Sequence, residues 1–366
     1  MKAAVYVYDE SGTHPPLAEL ATAHDIDRAY ALASPGRAVF RISQSEATDR
    51  DVAREGRMIV ILSTENVPPW VGRLDALDFN GGDRTIEITC ADWRQILYER
   101  ITPVGFEPGS GSGASIAFQA LREAGGRNSL GVWPLFREPG GWIAGGIRAG
   151  GKSLGALFDE LAAITDDDWW LDYDVRWSRV EIYLRWSRRR GRDRAAALHL
   201  LESAHLARAT YGRDALAGTR AVVAIGGGGD LSDRPAAIRA SAQSARYLSL
   251  AAVPAEPASV TETRQAAARS PTLAREAVTI FPQITDVAVL ALATRRALER
   301  PLMAAESLAL TVAAGAGVAW ADFGLGDTIR VKLASANFGG IDRSARIVGV
   351  QPDEAAGELD LALEVQ

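Results

Sequence analysis

The residues Gly146–Ser153, GIRAGGKS, fit the phosphate-loop pattern G-x-x-x-x-G-K-[ST] at every specified position. Such a loop holds a nucleotide when a buried strand delivers the chain to a glycine-rich turn. Backbone N–H groups of that turn and the N-terminus of the next helix then surround the phosphates. The helix half is present. Leu154, Leu157, Phe158, Leu161 and Ile164 form one apolar stripe, and Ser153 is a natural N-cap. The strand half is missing, because EPGGWIAG sets glycines and a proline where a buried strand belongs. The helix is followed by two alternating segments, 169–175 and 180–186, separated by RWSR. That is an antiparallel hairpin, not the second strand of a parallel crossover. The motif therefore reads as a turn into a capped helix, with Lys152 beside its positive end. A phosphate-loop nucleotide enzyme is the alternative.

Other candidates are weaker. AIGGGGD at 224–230 has Leu231 where a dinucleotide fingerprint needs its third glycine, and Pro235 follows where a helix would begin, so it reads as a strand end. His14, His24, His199 and His205 show no metal-ligand spacing. There is no G-x-S-x-G elbow. Asp166, Asp167 and Asp168 read as a solvated turn, Arg188–Arg190 as a solvated face, and the single cysteine, Cys90, as a small core residue. No catalytic residue, metal site or cofactor is expected. Trp133, Trp142, Trp169 and Trp170 support a second alternative, a carbohydrate- or protein-binding module.

The elements that would position these residues are mostly strands. AVYVYD, AVFRIS, the continuous apolar run MIVIL and PWVGRLDALDFN lead through the Asn80-Gly81 turn into RTIEITC and the short helix ADWRQILYER. MIVIL has the pattern of a strand buried on both faces. A helix is expected over 114–124, and an unpatterned Gly/Trp-rich surface excursion over 125–152. The last third holds a strand at TRAVVAI, a polar stretch to about residue 275, and a helix over 286–300. Alternating strands follow at 307–312, 329–333 and 358–365. With 47% hydrophobic and 23% charged residues the 366-residue chain has the composition of a soluble folded protein. Its net charge of −6 gives no basic footprint for nucleic acid. No run is apolar enough for a membrane helix. The N-terminus turns acidic too early for a signal peptide, so synthesis in the cytoplasm is expected.

The order of these pieces resembles the baseplate and tail-tip hub proteins of long-tailed bacteriophages, whose architecture recurs in contractile injection systems and type VI spikes. The resemblance is carried by PGRAVFRIS, REGRMIVIL and PPWVGRLDALDFNGGDRTIEITCADWRQILYERI. It continues through SLGALFDELAAITDDDWWLDYDVRWSRVEIYL and then LARATYGRDALAGTRAVVAIGGGG. It closes on DVAVLALATRRALERPL, FGLGDTIRVKL and SARIVGVQPDEAAGELDLALEV. It implies an α+β, mostly β fold: two small antiparallel β-barrel-like domains, 1–104 and 201–366, around a helix–hairpin region, 105–200. Trp70, Gly72, Gly326 and Asp327 are its turn and strand markers. It implies a non-enzymatic virion protein, a homotrimer whose six barrels form a pseudo-hexameric ring at the distal end of the tail tube. Partners would be a distal tail ring, the tape-measure protein and a central fibre or spike, with DNA passing through the lumen. Glu358, Asp360 and Glu364 would be an acidic lumen-facing row that repels DNA, or else a plain solvated face. The last sheet pattern runs to Gln366, so no appended catalytic domain is expected.

Overall fold

A computed structural model describes residues 3–47, 54–63, 67–125, 131–136, 141–143, 147, 149–213, 221–226, 236–240, 276–281, 306–313, 315–318, 320–334, 340–353 and 355–365. Over these the protein is α+β and mostly β, with two curled seven-stranded sheets.

The first hundred residues supply β1 (Ala3–Tyr8), β2 (Ala18–Glu19), β3 (His24–Arg28), β4 (Tyr30–Ala31), β5 (Arg37–Ser43), α1 (Gln44–Ala47), β6 (Met58–Ser63), β7 (Trp70–Asn80), β8 (Thr85–Asp92) and α2 (Gln95–Glu99). The first sheet is antiparallel, in the order β2-β1-β6-β7-β8-β5-β3. Val5, Val7, Phe40, Ile42, Ile59, Ile61, Trp70, Ile86, Ile88 and Cys90 fill its inside. β6 is buried on both faces, as the MIVIL run implies. Ile59 and Ile61 point into this core, while Met58 and Val60 join a second core formed with the middle of the chain.

That middle contains β9 (Gly111–Ser112), α3 (Gly113–Glu123), β10 (Val132–Phe136), β11 (Trp142–Ile143), α4 (Leu154–Thr165), β12 (Asp168–Arg176) and β13 (Arg179–Ser187). Ser112 caps α3 and Ser153 caps α4 through their side-chain oxygens. Leu154, Leu157, Phe158, Leu161 and Ile164 of α4 are all buried, as their spacing requires. β12 and β13 form the expected hairpin, in register Trp169↔Trp186 and Leu171↔Leu184. The 125–152 region is not the surface excursion its lack of period suggests. β10 pairs parallel to β13 despite Pro134, because β10 is an edge strand and an edge tolerates one missing donor.

The rest of the chain forms β14 (His199–Leu201), α5 (Glu202–His205), β15 (Leu206–Arg213), β16 (Ala221–Gly226), β17 (Ala236–Ala240), β18 (Glu276–Phe281), β19 (Glu306–Val312), a 3₁₀ turn at Trp320–Asp322, β20 (Thr328–Leu333), β21 (Ile341–Asp353) and β22 (Glu358–Val365). The second sheet runs β14-β20-β21-β22-β19-β15. It is antiparallel except for its edge, where β14 lies parallel to β20. Its seventh strand is β4, which lies in the chain between β3 and β5 of the first sheet but pairs with β21 at Gly349 and Val350. One face is apolar, with Leu308, Leu310, Ile329, Val331, Ile347, Leu359, Leu361 and Leu363. β16, the strand expected at TRAVVAI, forms a separate three-stranded sheet with β17, inside the stretch that the sequence marks as polar, and β18, just after it. Gly227–Gly229 and the expected helix over 286–300 lie outside the described residues.

Candidate functional site

The phosphate-loop match is occupied by the protein itself. The N–H of Gly151 donates to the Thr102 carbonyl at 3.2 Å, that of Lys152 to Thr102 Oγ1 at 3.2 Å, and that of Leu154 to the Arg100 carbonyl at 2.8 Å. Thr102 Oγ1 in turn donates to the Ala149 carbonyl at 2.5 Å. The Ala156 N–H is taken by Ser153 Oγ. Lys152 Nζ lies 2.7 Å from both carboxylate oxygens of Glu160, two turns into α4. The amides of Gly151, Lys152 and Leu154 and the Lys152 cation are therefore already partnered. The preceding β11 has two residues and pairs antiparallel with β9. In the loop at 9–14, Asp9 Oδ2 and Thr13 Oγ1 both approach Nδ1 of His14, at 2.5 and 3.3 Å. A hydroxyl and a carboxylate on the same ring nitrogen form a turn, not a relay that activates a nucleophile.

Two of the expected solvated groups are not solvated. Asp167 is 3% exposed. Its carboxylate accepts from Trp186 Nε1 at 2.9 Å and from the Gly141 N–H at 3.1 Å, which compensates its burial. Asp168 accepts from the Arg190 N–H at 2.7 Å and pairs with Arg346. Arg188 and Arg189 are exposed, but Arg190 turns inward. Of the tryptophans, Trp169 is in the core and Trp142 is exposed.

The four marker residues are structural. Trp70 folds its ring over Gly72, where a Cβ would lie 2.1 Å from the ring. Residues two apart on a strand share a face, so only glycine fits beneath the indole. Gly326 has φ +88°, and a Cβ there would lie 2.3 Å from the Arg190 carbonyl. Asp327 accepts from the Arg192 N–H at 2.6 Å and the Gly324 N–H at 3.0 Å, and pairs with Arg194 at 3.0 Å. Gly326 and Asp327 thus fasten the chain leaving β13 to the start of β20.

Glu358, Asp360 and Glu364 share the polar face of β22, opposite the buried leucines. The row is not purely acidic across the sheet. Arg346 stands opposite Glu364, Gln351 opposite Asp360, and Thr311 Oγ1 donates to Asp360 at 2.5 Å. Asp360 also reaches a groove of about 830 Å³ between the two large sheets, with Glu19, Asp25, Asp27 and Asp353. Gln351 Nε2 crosses that groove to Asp27 at 2.8 Å. A neighbouring hollow carries Arg41, whose guanidinium meets Asp25 at 3.3 Å and Glu87 at 3.2 Å. Sequence motifs alone do not single out these first-sheet carboxylates. The alternation in HDIDR, which sets Asp25 and Asp27 on one face, was the available signal.

Where the first sheet, the hairpin and the second sheet meet, a cavity of about 90 Å³ is lined by Tyr30, Asp92, Arg94, Trp170, Asp172, Tyr173 and Arg190 among others. Tyr173 donates to Asp92 at 2.8 Å. Burial pushes the Asp92 carboxyl above its usual range. Arg94 is 5% exposed, donates to the Leu32 carbonyl at 2.6 Å and stacks on Trp169 at 3.9 Å.

Comparison with solved structures matches this geometry end to end. A tail protein from Neisseria meningitidis MC58 aligns at a TM-score of 0.61 and 13% identity, over 99% of this chain and 95% of that one. The fold is that of phage tail proteins. The 43 kDa tail protein of prophage MuSo2 from Shewanella oneidensis gives 0.61 and 13% over 100% and 98%. Prophage tail protein gp18 from Listeria monocytogenes EGD-e gives 0.59 and 11% over 100% and 94%. No protein-family model and no curated protein sequence matches the chain. The tail-protein fold therefore persists at an identity where sequence comparison finds nothing.

Proposed function

We propose that the protein is a structural, non-enzymatic component of a phage tail, a homotrimeric hub whose two curled sheets per chain build a pseudo-hexameric ring at the distal end of the tail tube. The observation that carries this reading is the pair of seven-stranded sheets in one chain, each with one apolar core and polar surface left uncovered, in a fold that aligns over nearly its whole length with solved tail proteins. Three copies present six such sheets, matching a six-fold tube with three-fold symmetry. Chain boundaries near residues 104 and 200 separate the two sheets from the helix–hairpin unit. The ring gates the lumen, anchors a central fibre or spike, and meets a distal tail ring and the tape-measure protein in the virion. The polar face of β22, with Glu358, Asp360 and Glu364, lines the DNA path and keeps DNA from adhering.

Electron microscopy of the purified chain, with its mass in solution, tests this reading. A three-fold ring whose hole matches a tail tube is the expected result. A monomer at high concentration, or a closed dimer, overturns it. No observation favours the nucleotide alternative, since the Gly151, Lys152 and Leu154 amides of the loop that suggested it are taken by Thr102 and Arg100.

A further inference from the structure

The cavity at the three-way junction is lined by two arginines, one of which keeps a buried donor without an acceptor. Each carboxylate beside it is engaged elsewhere. Asp92 accepts from Tyr173 and from the Arg94 N–H at 2.8 Å each, and Asp172 is held by Arg185 at 3.0 and 3.2 Å. Asp168 is taken by Arg346 and the Arg190 backbone. The Arg190 guanidinium donates no hydrogen bond among the described residues, and its aromatic neighbour is the face of Trp170 at 5.2 Å. Arg94, nine-tenths buried on the same wall, has an Nε with no acceptor. Arg94 thus brings a buried Nε–H without an acceptor to the half-open cavity that Arg190 also lines. Burial and the charge of Arg94 hold the Arg190 guanidinium down to about 10. Buried donors without acceptors are costly and rare, so a ligand with acceptor oxygens is called for. The space, about 90 Å³, has room for one five-atom oxyanion. A guanidinium fork matches such an ion in geometry as well as charge.

We propose that this cavity binds one small tetrahedral oxyanion, of the phosphate or sulfate class, on Arg190 against the face of Trp170. The ion ties together Arg94, just beyond the first sheet, Trp170 of the hairpin and Arg190 in the segment entering the second sheet. The site is independent of the ring assignment. The test is thermal unfolding of the full chain in inorganic phosphate, sulfate or chloride at fixed ionic strength, with phosphate binding measured by calorimetry. Phosphate and sulfate should raise the midpoint saturably, by about 3 °C or more over chloride. Arg190→Gln should abolish that difference, and Arg188→Gln, at the exposed neighbour, should keep it. If Arg190→Gln does not fold, Arg190→Lys should weaken phosphate binding at least tenfold, since it keeps the charge and loses the fork. Equal midpoints in all three salts with no binding heat, or a phosphate effect unchanged in the Arg190 variants, overturns the proposal and leaves water as the occupant.

Discussion

Strands β6 and β22 are both rich in branched apolar residues, and they meet the protein in opposite ways. In β6 successive residues are buried on alternate sides, Ile59 and Ile61 inside the first sheet, Met58 and Val60 in the core shared with the middle of the chain. In β22 every second residue is buried and the others are polar or small. The difference is whether a third layer exists. The middle unit covers the β1-β6-β7 half of the first sheet, so that half reads as a continuous apolar run. No apolar core among the described residues packs on the outer face of β22, so that strand alternates. A strand's period reports how many layers flank it, and the half-solvated strands mark surface still open to a partner.

The strongest way to break this comparison is to place one charge on each side of each strand. Ile59→Asp and Val60→Asp should both abolish soluble folded protein, each costing roughly 4 kcal/mol or more. On β22, Leu361→Asp should do the same, while Asp360→Asn leaves a cooperative unfolding transition by circular dichroism. Tolerance of either β6 substitution would show that one of its faces is not packed.

Next in size are the two glycines. Gly72→Ala must displace the Trp70 ring, and Gly326→Ala must push back the Arg190 carbonyl from a φ of +88°. Each should cost about 2–3 kcal/mol in urea unfolding. An effect at Gly72 alone would mean that the second sheet is fastened elsewhere than at Gly326 and Asp327.

A smaller stability effect and a larger functional one are expected for the outer face of β22. Combined Glu358→Lys, Asp360→Lys and Glu364→Lys should change stability by no more than about 1 kcal/mol. Tails should assemble while DNA delivery falls. Normal delivery by the triple variant removes the face from the DNA path.

The smallest effect is on pH dependence. Glu99 receives two hydrogen bonds from Arg73, at 2.8 and 2.9 Å, and these hold its carboxyl below the usual 4.5. A depressed folded-state pKa gives stability that is present above the unfolded value and is lost as pH falls through the folded one. Glu99 is 44% exposed, so screening leaves a few tenths of a kcal/mol. Stability measured from pH 6 down to pH 3 should fall less steeply in Glu99→Gln than in the parent protein. Parallel curves would remove the pair from the account.

Local patterns in the sequence are faithful where neighbours in the chain are also neighbours in space. The stripe of α4, its Ser153 cap, the β12–β13 register and the both-sided burial of β6 follow from period and cap chemistry alone. What stayed hidden depends on pairing across long distances. β2, β3 and β4 are short and polar, and each is a strand because of what it meets. β10 carries a proline and is legible only beside β13. Asp167 looks like a solvated charge until Trp186, nineteen positions later, supplies its N–H. Glu358, Asp360 and Glu364 could be placed on one face from alternation. The junction of Asp360 with Asp25 and Asp27 across the groove could not, because it is set by how the two sheets are joined.

That joint has a temporal side. Tyr30 and Ala31 find their strand partners only at Val350 and Gly349, and the Leu32 N–H finds its acceptor at Val348. At a synthesis rate of about 5–20 residues per second, the roughly 300 intervening residues take about 15–60 s to emerge. Throughout that interval the first sheet can fold while one short segment beside it waits with open hydrogen bonds. The newborn chain therefore carries a sticky tab that its own last strands must cover, and a truncated product would keep the tab exposed.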